Sequence, residues 1–201
     1  MIIIDIESTG IDPKKHSIVS IGAIDLNNPE RQFYIENQVW KGSEIYMGDK
    51  ILGYKPAMLM NGFTIEEIHD ENKPLLKQAI ISLIKWIKES DEKTIGGHNP
   101  HFDLDFLKNS AEMYGIEWPF GDSAVDIKSL VYMHQVKRGL SPNKLKSDDC
   151  FIYAGLPKEE IPHNALYGAK LKAEAISRII FNKKLLQEFS KYSIPEYLEQ
   201  D

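Results

Sequence analysis

Two carboxylates separated by one residue follow the most apolar run near the start of the chain. Residues 2–4 are three consecutive isoleucines, a pattern typical of a central strand buried on both faces. The next two acids, Asp5 and Glu7, share one face of that strand, because its side chains alternate with a period of two. The alternative interpretation is a strand that simply becomes polar where it leaves the core. Because α/β sheets bind ligands outside the carboxyl ends of their strands, and Ser8–Gly10 predicts a tight turn there, the pair is a candidate ligand site.

A second polar group lies within residues 96–107. Asp103 falls near the start of a predicted helix, where an aspartate commonly serves as the N-cap. Asp105, two residues further on, points roughly to the opposite side of that helix and is expected in solvent. His98 and His101 are residues that form structural hydrogen bonds more commonly than they bind ligands. Of the two acids in this group, Asp103 is therefore the candidate, with either a chemical or a capping role.

A third polar group, residues 162–168, opens the last long predicted helix. It contains His163, whose imidazole titrates near neutrality and can therefore exchange a proton at physiological pH. A single histidine at a helix start is usually structural. On its own, this group indicates a helix start more strongly than a catalytic centre.

The spacing of apolar residues predicts the elements that position these groups. Residues 1–36 are typical of a β-meander, and the remainder alternates helices with strands, which predicts one α/β domain with a mixed sheet covered by helices. The long stretch from Trp40 to Asn61 is typical of a functional or mobile loop. The predicted strands are residues 2–4, 17–26, 32–35, 94–96 and 123–127, and the predicted helices begin at Thr64 and span Leu75–Glu89, Leu104–Tyr114, Asn143–Ala154 and Asn164–Phe181.

Composition and charge narrow the class of protein. The chain has 201 residues, with 24 Lys and Arg against 30 Asp and Glu, so its net charge is −6 and contact with nucleic acid would need a local patch or bound metal ions. The single Cys150 and the start of the sequence, which lacks a signal-peptide pattern, favour a reducing, cytoplasmic setting. Apolar runs are too short to span a bilayer, so no membrane partner is expected.

The three polar groups, in this order, resemble the motifs of the DEDDh family of 3′–5′ exonucleases, which includes bacterial polymerase proofreading subunits and has a ribonuclease H-like fold. Weaker similarities between the motifs extend the resemblance from residue 2 to about residue 180. The matching segments are Asp5–Gly10 for the first motif, His98–Asp103 with Phe106 and Leu107 for the second, His163–Leu166 with Ala169 for the third, and Asn61–Thr64 and Val125–Asp126 for the weaker similarities.

The resemblance implies a mixed five-stranded sheet flanked by helices, and two divalent ions, Mg²⁺ or Mn²⁺, held by Asp5, Glu7 and Asp103. Two ions about 3.5–4 Å apart can activate a water molecule and stabilise the leaving 3′-oxygen of a phosphodiester. In this scheme His163 takes the proton from water as general base. The implied substrate is the 3′ end of single-stranded nucleic acid, which bound ions would attract to an acidic chain. A polymerase or a second copy of the chain is a candidate partner.

Three polar residues are carried over from motif positions as candidate substrate contacts. Ser8 and Asn61 correspond to positions that contact the terminal nucleotide, and Asn99 to a position that orients the site. The alternative is that all three serve only as turn and capping residues. The exonuclease-like domain is expected to span residues 1–181, with 182–201 as a C-terminal tail that forms a docked helix or contacts a partner.

The chain departs from the family pattern at Gly168, five residues after His163, where an Asp is expected. Gly inside a helix costs about 1 kcal/mol relative to Ala, so the change indicates a lost ligand, and one of the two ions is expected to bind weakly. Glu174 does not substitute, because six residues along a helix rotate it about 240° away. Lys172 either reaches over the glycine or extends to solvent along its aliphatic stem, and the second alternative is favoured.

The leading hypothesis is therefore a Mg²⁺-dependent 3′–5′ exonuclease whose activity is limited at Gly168. The competing hypothesis is a catalytically silent domain that keeps the fold and binds nucleic acid or a protein partner. Position 168 separates the two.

Overall fold

A mixed sheet of five strands forms the centre of the protein. The computed structural model describes residues 1–43, 57–142 and 144–198. The strands are β1 (Ile2–Ser8), β2 (Ile18–Asp25), β3 (Asn28–Glu36), β4 (Ile95–Gly97) and β5 (Ala124–Asp126). They lie in the order β3-β2-β1-β4-β5, with β2 antiparallel to both of its neighbours, β1 and β3, and with β4 and β5 parallel to β1. This confirms the predicted mixed five-stranded sheet.

Seven helices of the described chain surround the sheet. They are α1 (Ala57–Asn61), α2 (Ile65–Ile68), α3 (Leu76–Lys88), α4 (Pro100–Met113), α5 (Ile127–Lys137), α6 (Ser147–Tyr153) and α7 (Ala165–Phe181). The capping box predicted at Thr64 is present at the start of α2. Most of the irregular stretch predicted from Trp40 to Asn61 falls outside the described residues, as does Asn143. Among the described residues, no helix is long and apolar enough to cross a membrane.

Two hydrophobic layers cover the two faces of the sheet, and the central strand contributes to both. All seven residues of β1 are buried, as the isoleucine run predicts. Ile2, Ile4 and Ile6 pack into the layer with α3 and α4, whereas Ile3 packs into the layer with α5, α6 and α7. Side chains alternate between the two faces along a strand, so Asp5 and Glu7 lie on the same face as Ile3, which is the α7 side of the sheet.

The start of α7 lies against the sheet at a glycine. Gly22 on β2 is the register partner of Asp5 on β1, and a Cβ atom at Gly22 would overlap the backbone carbonyl group of Ala165. A side chain at Gly22 would therefore move α7 away from β1. The glycine sets the short distance between the acids of β1 and the residues of α7.

The structure corrects the start of one helix and adds another. α4 begins at Pro100 and not at Leu104, since proline suits the first helical position. The added helix is α5, which the sequence pattern does not predict, and its buried residues Ile127 and Val131 are accompanied by the exposed apolar side chains of Tyr132 and Met133. Apolar residues on both sides of a helix weaken the periodicity by which sequence indicates it.

The residues after α7 dock on the α7 layer without forming the expected single helix. They form two short 3₁₀ turns, Gln187–Phe189 and Glu196–Leu198, and Phe189 and Leu198 are buried. Backbone carbonyl groups of this segment accept hydrogen bonds from the Arg178 guanidinium, which fixes the segment against α7.

Candidate active site

The two acids of β1 lie beside α7, largely shielded from solvent. Asp5 is 8% exposed and Glu7 9% exposed. Burial, and then the negative charges of Asp5 and Glu159, raise the pKa of Glu7 well above its usual value. A raised pKa at a cluster of acids means that ionisation there is costly until a positive charge is bound.

Asp103 joins these acids from the first turn of α4. Its Oδ1 accepts a hydrogen bond of 3.0 Å from the backbone N–H of Ile6, and the residue is 4% exposed. Burial raises the pKa of Asp103 to about 7, against the opposing effect of the Lys172 charge. The N-cap alternative for Asp103 is wrong, because Asn99 occupies the N-cap position of α4, in a left-handed conformation.

Lys172 lies inside the cluster and not in solvent. It is 5% exposed, and its Nζ forms an ion pair with Asp5 Oδ1. Burial disfavours its charge, but the carboxylates of Asp5 and Asp103 outweigh burial and raise the pKa of Lys172. The favoured expectation that this side chain extends to solvent is therefore wrong. The Lys172 ammonium group instead pairs with Asp5, the aspartate of the first motif.

Gly168 is buried on α7, one turn before Lys172, and the space beside it is filled by carboxylates. A Cβ atom at Gly168 would overlap Asp5 Oδ2, and it would lie 2.9 Å from Glu159 Oε1. The missing side chain thus leaves room for two acids that come from elsewhere in the chain. One of them, Asp5, was expected at this site and the other, Glu159, was not.

Glu159 comes from the loop between α6 and α7. Ligand atoms of Glu159, Glu7 and His163 all lie within 4.8 Å of one another, an arrangement that could hold a metal ion. Glu159 Oε1 is buried and has no hydrogen-bond partner in the described part of the chain. Burial, followed by the charge of Asp5, raises the pKa of Glu159 to about 8. The sequence offered little signal for this residue, since Glu159 lies outside the three motifs in an acidic loop.

His163 stands half-buried at the loop that leads into α7. Its backbone N–H donates a hydrogen bond of 2.7 Å to the carbonyl oxygen of Met60, which fixes the position of the residue. Burial lowers the pKa of the His163 imidazole, although the negative charge of Asp5 opposes this shift. A neutral imidazole close to Glu7 is suited to accept a proton.

The three candidate substrate contacts surround the site, and two of them are hydrogen-bonded to each other. Ser8 Oγ donates to the carbonyl oxygen of Gly10 at 2.6 Å, and Asn61 Nδ2 donates to the carbonyl oxygen of Ser8 at 3.0 Å. Asn99 Oδ1 accepts a hydrogen bond of 3.4 Å from Lys128 Nζ. These contacts are those of turn and capping residues, and a substrate role for the three side chains stays a prediction.

An open cavity of about 500 Å³ adjoins the acids. Its lining includes Asp5 and Asp103 at one side, together with the aromatic ring of Phe102 and the cationic side chains of Lys128 and Lys146. Cationic and aromatic groups next to acids can bind the phosphates and bases of a nucleic-acid strand. These lysines place positive charges beside the acids in a chain whose overall charge is negative.

The chain belongs to the RNase T exonuclease family, whose family model matches residues 2–176. This confirms the resemblance on which the sequence analysis relied. The nuclease domain of 3′hExo, a DEDDh family member solved bound to rAMP, has a TM-score of 0.67 at 16% identity, over 92% of this chain and 94% of that one. At this identity the structural likeness establishes the ribonuclease H-like fold.

Two relatives show the range of the family. The 3′–5′ DNA exonuclease Cap18 of Escherichia coli is 29% identical over 193 residues, which are 90% of this chain and 94% of Cap18. The DNA polymerase III subunit epsilon of Rickettsia prowazekii (strain Madrid E) is 33% identical over 118 residues, which are 56% of this chain and 44% of that subunit. The chain is thus similar over nearly its whole length to an exonuclease and over a part to a polymerase subunit.

Proposed function

We propose that this protein is a divalent-metal-dependent 3′–5′ exonuclease that releases nucleotides from the 3′ end of single-stranded nucleic acid. The observation that carries the proposal is the meeting of Glu7, Glu159 and His163, whose ligand atoms lie within 4.8 Å of one another beside Asp5. Similarity to a DNA exonuclease over 90% of the chain supports DNA as the substrate.

The donor set fits a divalent ion such as Mg²⁺ or Mn²⁺. Hard cations of this kind prefer oxygen ligands, and the buried Asp5, Glu7 and Asp103 together with the partly buried Glu159 supply carboxylate oxygens in one cluster. Glu159 Oε1, buried and without a hydrogen-bond donor in the described chain, is the kind of atom that a bound cation would satisfy. When bound, such an ion acidifies water and stabilises the charge that develops on phosphate and leaving oxygens.

The chain's own residues supply proton transfer and substrate binding. The neutral ring of His163 accepts the proton of the attacking water at its unprotonated ring nitrogen, a role that typically contributes about 10²–10⁴-fold to rate. Lys128 and Lys146 bind phosphates along the cavity, and Phe102 offers a ring for a base to stack on. Positioning by these groups keeps the terminal phosphodiester next to the acids.

A single-stranded oligonucleotide with a 5′ fluorophore tests both activity and direction. Digestion from the 3′ end gives a ladder of shortening labelled strands, whereas digestion from the 5′ end releases a labelled mononucleotide at once. We expect the ladder with Mg²⁺ or Mn²⁺, no product with EDTA, and no product from a strand with a blocked 3′ end. DNA and RNA strands of the same sequence identify the preferred substrate, and a persistent full-length strand under all conditions would contradict the proposal.

One observation favours the second candidate, a catalytically silent domain that binds nucleic acid. The Lys172 ammonium already neutralises Asp5, the acid that the first motif would offer to metal. A silent domain would bind the same labelled strand with micromolar or tighter affinity and leave it intact at saturating Mn²⁺. The ladder assay and a fluorescence-anisotropy titration of the same strand therefore separate the two functions.

A further inference from the structure

The described chain carries four carboxylates around one ammonium group at the end of β1. The acids are Asp5, Glu7, Asp103 and Glu159, and the ammonium is that of Lys172. With every acid ionised, the four carboxylates and Lys172 carry a net charge of −3, which one divalent cation reduces to −1 and two reverse to +1. The excess negative charge therefore favours binding of a cation, and the environments of Glu159 and Lys172 indicate how many ions the cluster holds.

The space at position 168 explains where the fourth acid comes from. An aspartate at this position would place its Cβ on the oxygen of Asp5 and 2.9 Å from that of Glu159. The Glu159 carboxylate thus reaches, from the loop before α7, the place that a side chain on α7 would otherwise fill. Gly168 and Glu159 form a matched pair, in which the small residue admits the long one.

The environment of Glu159 indicates that its carboxylate faces a cation. Its Oε1 is buried, has no hydrogen-bond partner in residues 1–43, 57–142 and 144–198, and lies in the same group as ligand atoms of Glu7 and His163. Burying an ionised carboxylate without a donor or a cation is strongly unfavourable. A cation held between Glu7 and Glu159 removes that cost.

The environment of Lys172 indicates that its ammonium replaces a cation. It is more than nine-tenths buried, it is paired with Asp5, and the charge of Asp103 also acts on it. α7 positions this group one turn beyond Gly168, on the side of the helix that faces β1. The two acids that act most strongly on Lys172, Asp5 and Asp103, therefore already share a positive charge that belongs to the protein.

We infer that this site takes a single divalent cation, held with the help of Glu159 in place of the aspartate missing at position 168, and that the Lys172 ammonium supplies the positive charge of a second ion. The inference deepens the proposed exonuclease function and concerns the same site. It also gives Gly168 a role, because the glycine leaves room for Asp5 and Glu159.

Binding of Mn²⁺ to the metal-free full chain, followed by electron paramagnetic resonance without nucleic acid, tests the inference. We expect one Mn²⁺ per chain in the wild type. Glu159→Gln should weaken binding by about 10–100-fold, the range for groups that support a metal site. The matched control is Glu160→Gln, which removes the same charge from the exposed neighbouring residue and should leave binding unchanged. Equal affinities in the two variants would overturn the role of Glu159.

Lys172 is tested with two substitutions that differ in charge. Lys172→Arg keeps the positive charge and should keep one ion per chain, whereas Lys172→Met removes it and should raise the count to two. Two ions in the wild type, or one ion in both variants at saturating Mn²⁺, would overturn the role of Lys172. Thermal melts without metal confirm that each variant is folded, and Lys172→Gln replaces Lys172→Met if the latter is not.

The outcome for the proposed function is separate. An oligonucleotide left intact by a wild type that binds one Mn²⁺ would contradict the exonuclease function and leave the single-ion site standing. A digested oligonucleotide with two ions bound would do the reverse.

Discussion

Helix α7 carries two buried ion pairs that differ in how completely their atoms are satisfied. Glu174 and Arg178 have fully buried side chains, and Arg178 Nε donates to Glu174 Oε1 at 2.7 Å. Glu174 Oε2 accepts hydrogen bonds from the backbone N–H groups of Leu185 and Leu186 at 2.9 and 2.8 Å. The remaining guanidinium donors of Arg178 donate to backbone carbonyl oxygens. We call this pair closed, because the polar atoms of both side chains have hydrogen-bond partners within the protein.

The pair of Lys172 and Asp5 is open, although Lys172 precedes Glu174 by only two residues on α7. Three further acids lie around it, and one oxygen of Glu159 has no donor in the described residues. A closed pair stabilises a fold without a ligand, whereas an open cluster with excess negative charge is stabilised by binding one. The two regions therefore separate a structural role from a functional one on a single helix. Glu174, which was predicted not to replace the missing ligand, belongs to the structural pair.

The largest expected effect is on catalysis at the open cluster. His163→Ala should lower turnover by roughly 10²–10⁴-fold, because it removes the proton acceptor, while affinity for a single strand stays nearly unchanged. Turnover is measured with the 5′-labelled strand and affinity by fluorescence anisotropy. His69→Ala, at an exposed histidine, is the matched control and should keep wild-type turnover. Parallel losses of turnover and affinity would show that His163 holds the substrate or the start of α7.

The next effect, of comparable size in free energy, is on stability at the closed pair. Arg178→Met leaves Glu174 buried without its partner and should lower the free energy of unfolding by about 3–5 kcal/mol in urea titrations. Turnover per folded molecule should not change. Lys170→Met, which removes a partly exposed pair with Glu188, is the control and should cost about 0–1 kcal/mol. Equal losses in the two variants would contradict the structural role of the closed pair.

A smaller effect is the pH dependence of the metal-free protein. Burial raises the pKa of Asp103 from 3.8 to about 7 and that of Glu159 from 4.5 to about 8, so the folded state binds more protons than the unfolded state between about pH 4 and pH 8. Stability without metal should therefore fall as pH rises through this range. Each kcal/mol lost lowers Tm by about 2–4 °C.

Mn²⁺ should oppose this decline, because a cation binds the ionised acids of the folded state, and one hundred times Kd adds about 2.7 kcal/mol. Melts from pH 4 to pH 8 with EDTA or with Mn²⁺ measure both effects. The Asp103→Asn, Glu159→Gln variant should show a flatter profile in EDTA. A metal-free profile that rises with pH would contradict the raised pKa values.

The smallest expected effect is at position 168. From sequence alone, Gly168→Asp would be expected to restore a ligand and raise activity, but the structure places Asp5 and Glu159 in the space of the new side chain. We therefore expect no gain in activity from Gly168→Asp. Gly168→Ala is the steric control. Its free energy of unfolding should not rise by the roughly 1 kcal/mol that Gly→Ala usually gives in a helix, because the new Cβ overlaps Asp5. A clear gain in exonuclease rate with Gly168→Asp would show that the missing aspartate limits this chain.

The sequence predicted the parts of the fold that have a clear local pattern. The isoleucine run of β1, the capping box of α2 and the apolar stripes of α3 and α7 are local signals, and the corresponding elements are present. α5 was missed because its exposed apolar residues blur its pattern. The predicted helix start at Leu104 is four residues too late, because Asp103 before it is a common capping residue, whereas the chain begins α4 with Pro100 at the first helical position.

At the site, the family resemblance indicated the residues that belong to the three motifs, but it did not indicate Glu159, which lies outside them. Asp5, Glu7, Asp103 and His163 lie together as the motifs imply, although their roles are still predictions. Glu159 is in a loop whose length and path no periodicity describes. The pairing of Lys172 depends on a tertiary contact with β1, which a helical pattern cannot show.

The ion pair of Asp5 and Lys172 joins residues 167 positions apart in the chain. Contacts of such long range form late, because the intervening chain must first be ordered or at least present. At a synthesis rate of about 5–20 residues per second, β1 waits roughly 10–30 s on the ribosome before α7 is available. Throughout that interval the nascent chain exposes acids without the lysine that balances them or the histidine beside them. Topology thus postpones the chemistry of this site until translation has passed α7.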